Sequence, residues 1–487
     1  MARLLWEGKA APARTRLPLE TLEWAGGRNR LILGDSRQVL PGLLPRFAGK
    51  VDLVYLDPPF ASGADYSVAG RKAYRDTWRG GFDSYLQWLY ATAVLLRDLL
   101  ARTGSLYLHL DANASHYAKA ILDEVFGAEN FQREIVWRIG WVSGYKAAAA
   151  NWIRNHDTLL FYVKDRRRFT FNKQYLPYPP GYVRRDGRAP KGRGFPLDDV
   201  WNASQADRLD SIQIKSFSGE KVGYPTQKNE ALLERIIAAS SNPGGLVLDC
   251  CCGSGTTPAV ASRLGRRFIA ADLGRLAIDI TRKRLLAAAA PFSLQSHGKH
   301  ERRAWLAATF GDDLDGYRRF IAALAGARGK VHVGAVDATW TRAAVAALGE
   351  GPLDVLGWAF EPGLASSARV RLRQIPREVM EAAAVSGVRP EDFRALRAVE
   401  ARVRVLRRVA RVVLGSPAEV DSWAVDWHHR GGVFRVGFHA ARSRKGAALP
   451  PAAESPPYAR PGRYVVAVKV IDASLTETVR RFPVEVR

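Results

Sequence analysis

Short apolar runs alternate with longer amphipathic stretches in the first part of the chain. "RLILGDS" (30–36) and "VDLVYLD" (51–57) predict buried strands, and each run ends at an acidic residue. From 84 to 104 the apolar residues recur at spacings of three and four, which predicts an amphipathic helix. "SLYLHLD" (105–111) predicts a third strand, and 114–127 predicts a second helix. Strands that alternate with helices indicate a parallel, doubly wound sheet.

Acidic residues follow three of these predicted strands. Asp35, Asp57 and Asp111 each stand where an apolar run ends. Ligands of doubly wound sheets bind at the carboxyl ends of the strands. We therefore expect these three carboxylates at the ligand-binding edge of the sheet.

A strand, a glycine turn, a helix and a second strand follow one another between residues 244 and 273. "LVLD" leads into Gly253 and Gly255, and "RRFIAAD" ends at Asp272. Glycines at such a turn let the backbone approach a ligand, and the second acid can bond the hydroxyls of a ribose. We interpret this segment as the nucleotide half of a Rossmann-like sheet, with Cys250, Cys251 and Cys252 as small wall residues of the turn.

No lysine-containing phosphate loop, G-x-x-x-x-G-K-[ST], occurs in the sequence. The expected ligand is therefore a nucleoside without a triphosphate. S-adenosylmethionine fits better, because its sulfonium and amino-acid end need carboxylates and backbone carbonyls.

The composition is that of a folded protein with a large positive charge. Of 487 residues, 47% are hydrophobic, and the formal net charge is +25. Such a surplus attracts polyanions, of which nucleic acid is the commonest in a cytoplasm, although an arginine-rich proteome from a GC-rich genome would produce it too. No apolar run has the length of a membrane span, and "MARLLWEGKAAPARTR" lacks a signal-peptide core, so we expect a cytoplasmic protein without a membrane partner. Three adjacent cysteines favour neither a disulfide nor a metal site.

Five motifs carry a family resemblance. "DPPF" (57–60) resembles the catalytic D-P-P-[YF] of amino-group DNA methyltransferases, and "DCCCGSGTT" (249–257) resembles their cofactor motif, which usually has Phe where Cys251 stands. Residues 224–244, 104–111 and 131–138 match further segments of that family. The tetrapeptide precedes the glycines, which is the permuted order of the beta class and is similar to type III modification subunits. Ribosomal RNA and protein-glutamine methyltransferases usually carry the glycine motif first.

The resemblance implies direct methyl transfer to an exocyclic amine. Asp57 and the carbonyl of Pro58 would accept its N–H groups, Pro58 and Pro59 would fix these acceptors, and Phe60 would stack on the flipped base. A cysteine-based attack on cytosine carbon would need a Pro-Cys dipeptide, which is absent. N6 of adenine is favoured, because cytosine-specific relatives more often start with Ser. N4 of cytosine and a catalytically silent DNA-binding scaffold stay open.

The cofactor residues are expected on both sides of the glycine turn. Asp249, Gly253 and Gly255 would hold the methionine end and Asp272 the ribose. By the resemblance, Asp35 would bond the adenine of the cofactor, and Thr226 with Lys228 its carboxylate end. Asn229 replaces the proline that usually follows this lysine, and it is an acceptable residue to start a helix.

Residues 138–222 interrupt the predicted alternation and combine basic, aromatic and glycine residues. This composition suits contacts to phosphates and base edges together with base stacking, and the family carries target recognition at this position. The alternative is a solvated insertion. The candidate DNA-binding residues are Arg166, Arg167, Arg168, Arg184, Arg185, Lys191 and Arg193.

The resemblance ends near residue 290. Residues 329–361 predict a small α/β unit, and 456–486 predict two strands, similar to an immunoglobulin-like or PKD-like module. Asp426, His428 and His429 could ligate a metal but more often form a polar strand end, so no metal site is expected. A fused nuclease is disfavoured, because the tail has no P-D…(D/E)-x-K pattern. DNA binding, dimerisation and binding of a partner protein stay open as roles of residues 296–487.

The expected fold is a Rossmann-like, doubly wound, mostly parallel sheet with an inserted recognition region and a C-terminal extension. The expected partners are double-stranded DNA, with a homodimer and a restriction or defence subunit as open alternatives. The predicted domains are an N-terminal extension (1–27), a catalytic half (28–137), a target-recognition insertion (138–222), a cofactor half (223–295), an α/β region (296–450) and a β module (451–487).

Overall fold

The computed structural model describes residues 3–60, 65–68, 71–75, 78, 80–138, 150–202, 219–349, 351–381, 388–442 and 448–487. The chain divides into two compact units. The first comprises Met1–Arg16 and Gly27–Gln295, and the second comprises Leu17–Gly26 and Ser296–Arg487. Among the described residues, none of the helices combines the length and apolar character that crossing a membrane requires.

The first unit contains both strands and helices. Its strands, with the first and last shared with the second unit, are β1 (Glu20–Leu33), β2 (Val51–Leu56), β3 (Asp65–Val68), β4 (Arg71–Arg75), β5 (Leu100–Leu110), β6 (Phe131–Arg138), β7 (His156–Val163), β8 (Tyr175–Leu176), β9 (Phe195–Pro196), β10 (Val200–Trp201), β11 (Leu246–Asp249), β12 (Arg267–Asp272) and β13 (Phe292–Ser296). Its helices are α1 (Ser36–Phe47), α2 (Gly81–Leu99), α3 (Ser115–Phe126), α4 (Glu230–Ser240), α5 (Thr256–Arg263) and α6 (Arg275–Ala287).

One large sheet organises this unit, in the order β10-β6-β7-β5-β2-β11-β12-β1-β13. The pairs from β5 through β2, β11 and β12 to β1 are parallel, whereas β7 is antiparallel to both β5 and β6. The central strands are almost continuously apolar because both of their faces are covered. The predicted doubly wound, mostly parallel sheet is confirmed.

Two boundaries differ from the sequence-based expectation. The helix expected over 84–104 ends at Leu99, and β5 begins at Leu100 without a loop. Leu99 and Leu100 are both buried, so the apolar pattern runs through the join. His156–Val163 was expected in the insertion, but it forms β7 between β5 and β6, because "TLLFYV" provides an apolar central strand.

The second unit contains helices and several small sheets. Its helices are α7 (Lys299–Thr309), α8 (Leu314–Leu324) and α9 (Arg342–Ala346). Its strands are β14 (Lys330–Val333), β15 (Thr339–Trp340), β16 (Leu353–Gly357), β17 (Ala359–Phe360), β18 (Val370–Gln374), β19 (Arg394–Ala395), β20 (Ala401–Leu406), β21 (Val409–Leu414), β22 (Val420–Asp426), β23 (Phe434–Arg435), β24 (Phe438–Ala441), β25 (Ala452–Glu454), β26 (Gly462–Asp472) and β27 (Glu477–Val486).

The C-terminal strands pair with strands that precede residue 451. β26 and β27 form a hairpin, and β26 also pairs with β22 in the sheet β24-β22-β26-β27. A second sheet has the order β20-β21-β25. Their inner faces share one apolar core that includes Val412, Trp423 and Val468. The packed β structure therefore begins near residue 399, well before the expected boundary at 451.

Candidate active site

The carboxyl ends of four neighbouring parallel strands meet at one edge of the sheet. β2 lies between β5 and β11, so Asp57, just after β2, and Asp249, at the end of β11, lie on adjacent strands. Leu33 of β1 pairs with Asp272 at the end of β12. The register therefore gathers the acids that the apolar runs had placed at strand ends, and we call this edge the catalytic edge.

Asp57 is held by a lysine that lies far away in the sequence. The Nζ of Lys228 lies 2.5 Å from Oδ2 of Asp57, and both side chains are largely buried. The same Nζ lies 5.5 Å from the centre of the Phe60 ring. The backbone carbonyl of Lys228 accepts a hydrogen bond of 2.9 Å from Oγ1 of Thr256 at the start of α5. Lys228 thus connects the D-P-P-F segment with the glycine turn.

A buried polar chain lies beside the Phe60 ring. The hydroxyl of Tyr55 is 2.8 Å from Nδ1 of His109, and Nε2 of His109 is 3.3 Å from Oδ2 of Asp157. The rings of His109 and Phe60 have their centres 6.2 Å apart. Arg154 forms an ion pair with Asp157. These contacts support the D-P-P-F segment from strands β5 and β7.

Burial and neighbouring charges shift the pKa values of Tyr55 and Asp157 in opposite directions. Burial raises the pKa of Tyr55 well above its usual value, and the nearby carboxylates of Asp57 and Asp249 raise it further, so the phenol stays neutral. Burial would also raise the pKa of Asp157, but its hydrogen bond with His109 and the charge of Arg154 lower it to about 2. Asp157 is therefore an anion at neutral pH, and it can orient the imidazole.

The glycine turn brings backbone N–H groups to the two remaining acids. Asp249 Oδ1 accepts a hydrogen bond of 3.0 Å from the Cys251 N–H, and Asp272 Oδ2 accepts one of 2.8 Å from the Gly253 N–H. Gly255 has φ of +74°, and a Cβ there would lie 2.6 Å from Thr281 Oγ1. Only glycine therefore fits this position without displacing Thr281.

Both acids at this turn are poised to receive positive charge or hydroxyl donors. Burial raises the pKa of Asp249 to about 7, against the hydrogen bonds from Thr257 and Cys251. Burial likewise raises the pKa of Asp272 to about 6. A ligand with a cationic group and ribose hydroxyls would compensate the cost of burying these carboxylates in their ionised form, and such a donor set matches S-adenosylmethionine. The residues present therefore fit the expected cofactor.

The other expected cofactor residues are placed as follows. Asp35 caps α1 by accepting a hydrogen bond of 2.8 Å from the Arg37 N–H, and its carboxylate also pairs with the Arg37 guanidinium. Thr226 is partly buried in the turn that precedes α4. Asn229 caps α4 through its side chain, which accepts a hydrogen bond of 3.1 Å from the Leu232 N–H. Its predicted role as a helix start residue is confirmed.

The three cysteines line the cofactor turn. Cys250 and Cys252 are buried, and burial raises the pKa of the Cys252 thiol. The Sγ of Cys252 faces Thr281 Oγ1 at 4.0 Å. A buried, protonated thiol is a poor nucleophile, so these side chains act as wall residues.

The candidate DNA-binding residues fall into two separate groups. Arg184, Arg185, Lys191 and Arg193 are exposed on the connection between β8 and β9. On the same connection the rings of Tyr178 and Tyr182 stack with centres 5.2 Å apart, and Phe195 meets both rings edge-on. We call this the aromatic hairpin.

Arg166, Arg167 and Arg168 lie elsewhere. They follow the end of β7, which runs antiparallel to β5, so they lie at the edge opposite the catalytic edge. The Lys164 N–H bonds to the Gly104 carbonyl, and Asp165 pairs with Arg102, both near the beginning of β5. The structure does not bring this group together with Asp57.

His109, Asp157 and Arg154 were missed by the sequence reasoning. The available signal was a histidine inside the apolar strand "SLYLHLD" and an acid opening "DTLLFYV". A fully buried polar residue needs a partner, so each could have suggested the other. Their pairing nevertheless required knowing that β7 lies beside β5.

Asp426 is the last residue of β22, and its carboxylate is hydrogen-bonded to neighbouring groups. Its carboxylate accepts hydrogen bonds from the N–H groups of His428 and Arg435 at 3.1 and 3.0 Å. Nδ1 of His429 lies 3.0 Å from Oδ2 of Asp426. This arrangement is that of a polar strand end.

Comparison with known proteins identifies similar sequences for the first unit. The family described as DNA methylase (N6_N4_Mtase) matches residues 51–283. The type II methyltransferase M1.MboII of Moraxella bovis is 30% identical over 240 residues, which cover 46% of this chain and 84% of that protein. The type II methyltransferase M.HpaI of Haemophilus parainfluenzae is 29% identical over 260 residues, 53% of this chain and 74% of that protein. The DNA adenine methyltransferase YhdJ of Escherichia coli (strain K12) is 28% identical over 246 residues, 49% and 77% respectively.

Proposed function

The chain belongs to the DNA methylase family of N6 and N4 amino-group methyltransferases, and from this premise we propose that it methylates N6 of adenine at specific sites in double-stranded DNA, with S-adenosylmethionine as its cofactor. The observation that carries the proposal is the meeting of Asp57, Lys228 and the glycine turn at the catalytic edge. The Asp-first tetrapeptide supports adenine, and one relative of this chain is named an adenine methyltransferase.

Asp57 is the proposed acceptor for the target amine. The lone pair of an exocyclic amine is delocalised into the base, and acceptors for its N–H groups make the nitrogen more nucleophilic. Lys228 binds Oδ2 of Asp57, so we assign Oδ1 and the Pro58 carbonyl to the amine. As the C–N bond formed, the bond between the methyl carbon and the sulfonium sulfur would break, and S-adenosylhomocysteine would leave as a neutral thioether. The nitrogen, cationic at that point, would transfer a proton to Asp57. Bound S-adenosylmethionine supplies the electrophilic methyl group.

Phe60 and its supports position the base. A base must leave the duplex for its amine to reach Asp57, and an aromatic ring offers a stacking face that holds it. Phe60 itself is held against His109, which Tyr55 and Asp157 fix from both sides. We therefore assign Phe60 to stacking and His109 to positioning.

The cofactor residues follow from the glycine turn. We assign Asp249 and the Gly253–Gly255 turn to the methionine end, Asp272 to the ribose and Asp35 to the adenine of the cofactor. Thr226 is assigned to the carboxylate end. Lys228 was expected at that end too, but its ion pair with Asp57 supports a role in the acceptor site.

The order of the motifs supports a finer classification. The catalytic tetrapeptide comes before the glycine turn in the sequence, although β2 and β11 are neighbours in the sheet. We propose that the chain is a permuted, beta-class enzyme of a restriction-modification or related defence system. A type III partner subunit and a homodimer remain proposals, and the relatives described above bear type II names.

The decisive experiment follows the methyl group. Duplex DNA is incubated with the protein and S-adenosylmethionine labelled with tritium in the methyl group, and the digested nucleosides are then separated. We expect label in N6-methyladenine, and its loss with Asp57→Asn, which removes the carboxylate charge but keeps the shape. Label in N4-methylcytosine would change the assigned target base from adenine to cytosine. The absence of label despite binding of DNA and cofactor would indicate a DNA-binding protein without methyltransferase activity.

A further inference from the structure

The hairpin β20–β21 of the second unit carries arginines on its outer face. Ala401–Leu406 and Val409–Leu414 pair in antiparallel register around a two-residue turn, Arg407–Arg408. Val403, Val405 and Val412 contribute to the apolar core on the inner face. The arginine hairpin is defined by its exposed guanidinium side chains, Arg402, Arg404, Arg407, Arg408 and Arg411.

The turn of this hairpin is strained. Arg407 and Arg408 have φ of +47° and +65°, the left-handed backbone that a two-residue turn between strands requires. Asn-Gly is the preferred pair at such turns, and larger side chains raise the energy of this backbone conformation. Stability alone would therefore not select two arginines here.

The two strands of the hairpin also carry an unfavourable arrangement of arginines. Arg404 lies directly opposite Arg411, and like charges at paired positions of two strands destabilise a sheet. Glu454 lies 3.6 Å from Arg411, but both side chains are exposed, so this ion pair stabilises the hairpin little. Two independent features thus reduce the stability of the hairpin and concentrate positive charge on one surface.

We propose that the arginine hairpin binds the phosphate backbone of double-stranded DNA without reading its sequence. Guanidinium groups bind phosphate in bidentate fashion, and alternate residues of a strand recur about every 6.8 Å, which lets several reach the same DNA strand. DNA is the polyanion concerned because the chain belongs to a DNA-acting family, and in this respect the inference rests on the proposed function. The hairpin lies outside residues 51–283, so it adds a DNA contact beyond the part shared with that family.

The test replaces the turn in the full-length protein. Arg407→Asn/Arg408→Gly removes two charges and provides the preferred turn, so the melting temperature should rise by about 2–4 °C. Binding to a 30-base-pair duplex should weaken by about 30-fold at 0.15 M salt, and the slope of log Kd against log salt should decrease by about 1.8, the value for two phosphate contacts. A stabilised protein with weaker binding cannot be explained by misfolding.

Two further variants control this result. Arg404→Gln/Arg411→Gln should weaken binding similarly, whereas Arg318→Gln/Arg319→Gln, an exposed pair on α8, should leave the salt slope unchanged. An unchanged slope in both hairpin variants, or an equal decrease in the α8 variant, would overturn the proposal. The proposal would also be overturned if the hairpin variants bound phosphatidylserine vesicles more weakly but bound DNA as tightly as the unaltered protein. Failure of the proposed function is separate, because it appears as absent methyl transfer by the unaltered protein.

Discussion

The ammonium group of Lys228 lies 2.5 Å from the carboxylate of Asp57, although 171 residues separate them in the chain. Asp57 follows β2, and Lys228 precedes α4, which leads into β11 beside β2. The hydroxyl of Thr256 at the cofactor turn donates a hydrogen bond to the carbonyl of Lys228. A structural change at that turn can therefore alter the position of Asp57, the proposed acceptor for the target amine, through Lys228.

Replacing Lys228 should affect the chemical step. We expect Lys228→Met to lower kcat by about 10- to 150-fold, the equivalent of one hydrogen bond to a charged group, because Asp57 is no longer held. Lys228→Arg keeps the charge and should retain more activity. Single-turnover kinetics with saturating cofactor measures the effect. A higher KM for the cofactor with unchanged kcat would instead place Lys228 at the carboxylate end of S-adenosylmethionine.

Cofactor affinity should increase with pH. With a pKa of about 7, Asp249 is largely protonated at pH 6 and largely ionised at pH 8, and the ionised form attracts the sulfonium cation. We expect calorimetric Kd to decrease by up to about tenfold over this interval. Asp249→Asn should bind weakly at both pH values. S-adenosylhomocysteine, which lacks the sulfonium charge, should show a smaller change, and equal pH profiles for the two ligands would contradict this account.

The unliganded protein should lose stability over a similar interval. Asp249 and Asp272 have folded pKa values of about 7 and 6, raised above their usual value of 3.8. Such groups stabilise the fold fully below the unfolded pKa, and this contribution is lost as pH rises through the folded pKa. The melting temperature should therefore decrease between pH 5 and 8, and less so in Asp249→Asn. Parallel curves for the two proteins would argue against desolvated carboxylates.

Two glycines allow the cofactor turn to be tested against a matched control. Gly255 and Gly265 have nearly equal φ, +74° and +73°, but a Cβ would contact Thr281 at Gly255 and nothing within 4 Å at Gly265. Gly265→Ala should cost about 1 kcal/mol of unfolding free energy, and Gly255→Ala at least about 2 kcal/mol more, with loss of cofactor binding. Denaturant melts and calorimetry measure both. Equal losses would mean that the contact with Thr281 is relieved at little cost.

Sequence preference should depend on the aromatic hairpin. Arg184→Gln/Arg185→Gln removes two charges beside Tyr182, whereas Arg167→Gln/Arg168→Gln removes two charges just after β7, at the edge opposite the catalytic edge. We expect only the first pair to reduce the ratio of specific to non-specific DNA binding, by about fivefold or more for the loss of one base contact. The ratio is measured by competition titration at fixed salt. If only Arg167→Gln/Arg168→Gln reduced sequence preference, the residues that follow β7 would be assigned to recognition instead.

Local sequence patterns were sufficient to predict where the strands end and which acids follow them. Apolar runs that stop at Asp57, Asp249 and Asp272 predict strands with acids at their carboxyl ends, because the hydrophobicity of consecutive residues can be read from the sequence alone. The glycine turn was predictable for the same reason, since the positive φ of Gly253 and Gly255 serves a strand-to-helix turn within a few residues. The Rossmann-like class followed from these elements.

Which of these residues meet depends on the order and direction of the strands in the folded sheet. The contact of Lys228 with Asp57 depends on β2 lying beside β11, and the chain of Tyr55, His109 and Asp157 depends on β7 pairing with β5. The antiparallel direction of β7 also sends Arg166–Arg168 to the edge opposite Asp57. Strand order and direction are set by the packing of the whole sheet, because pairing joins residues distant in sequence whose local patterns are alike.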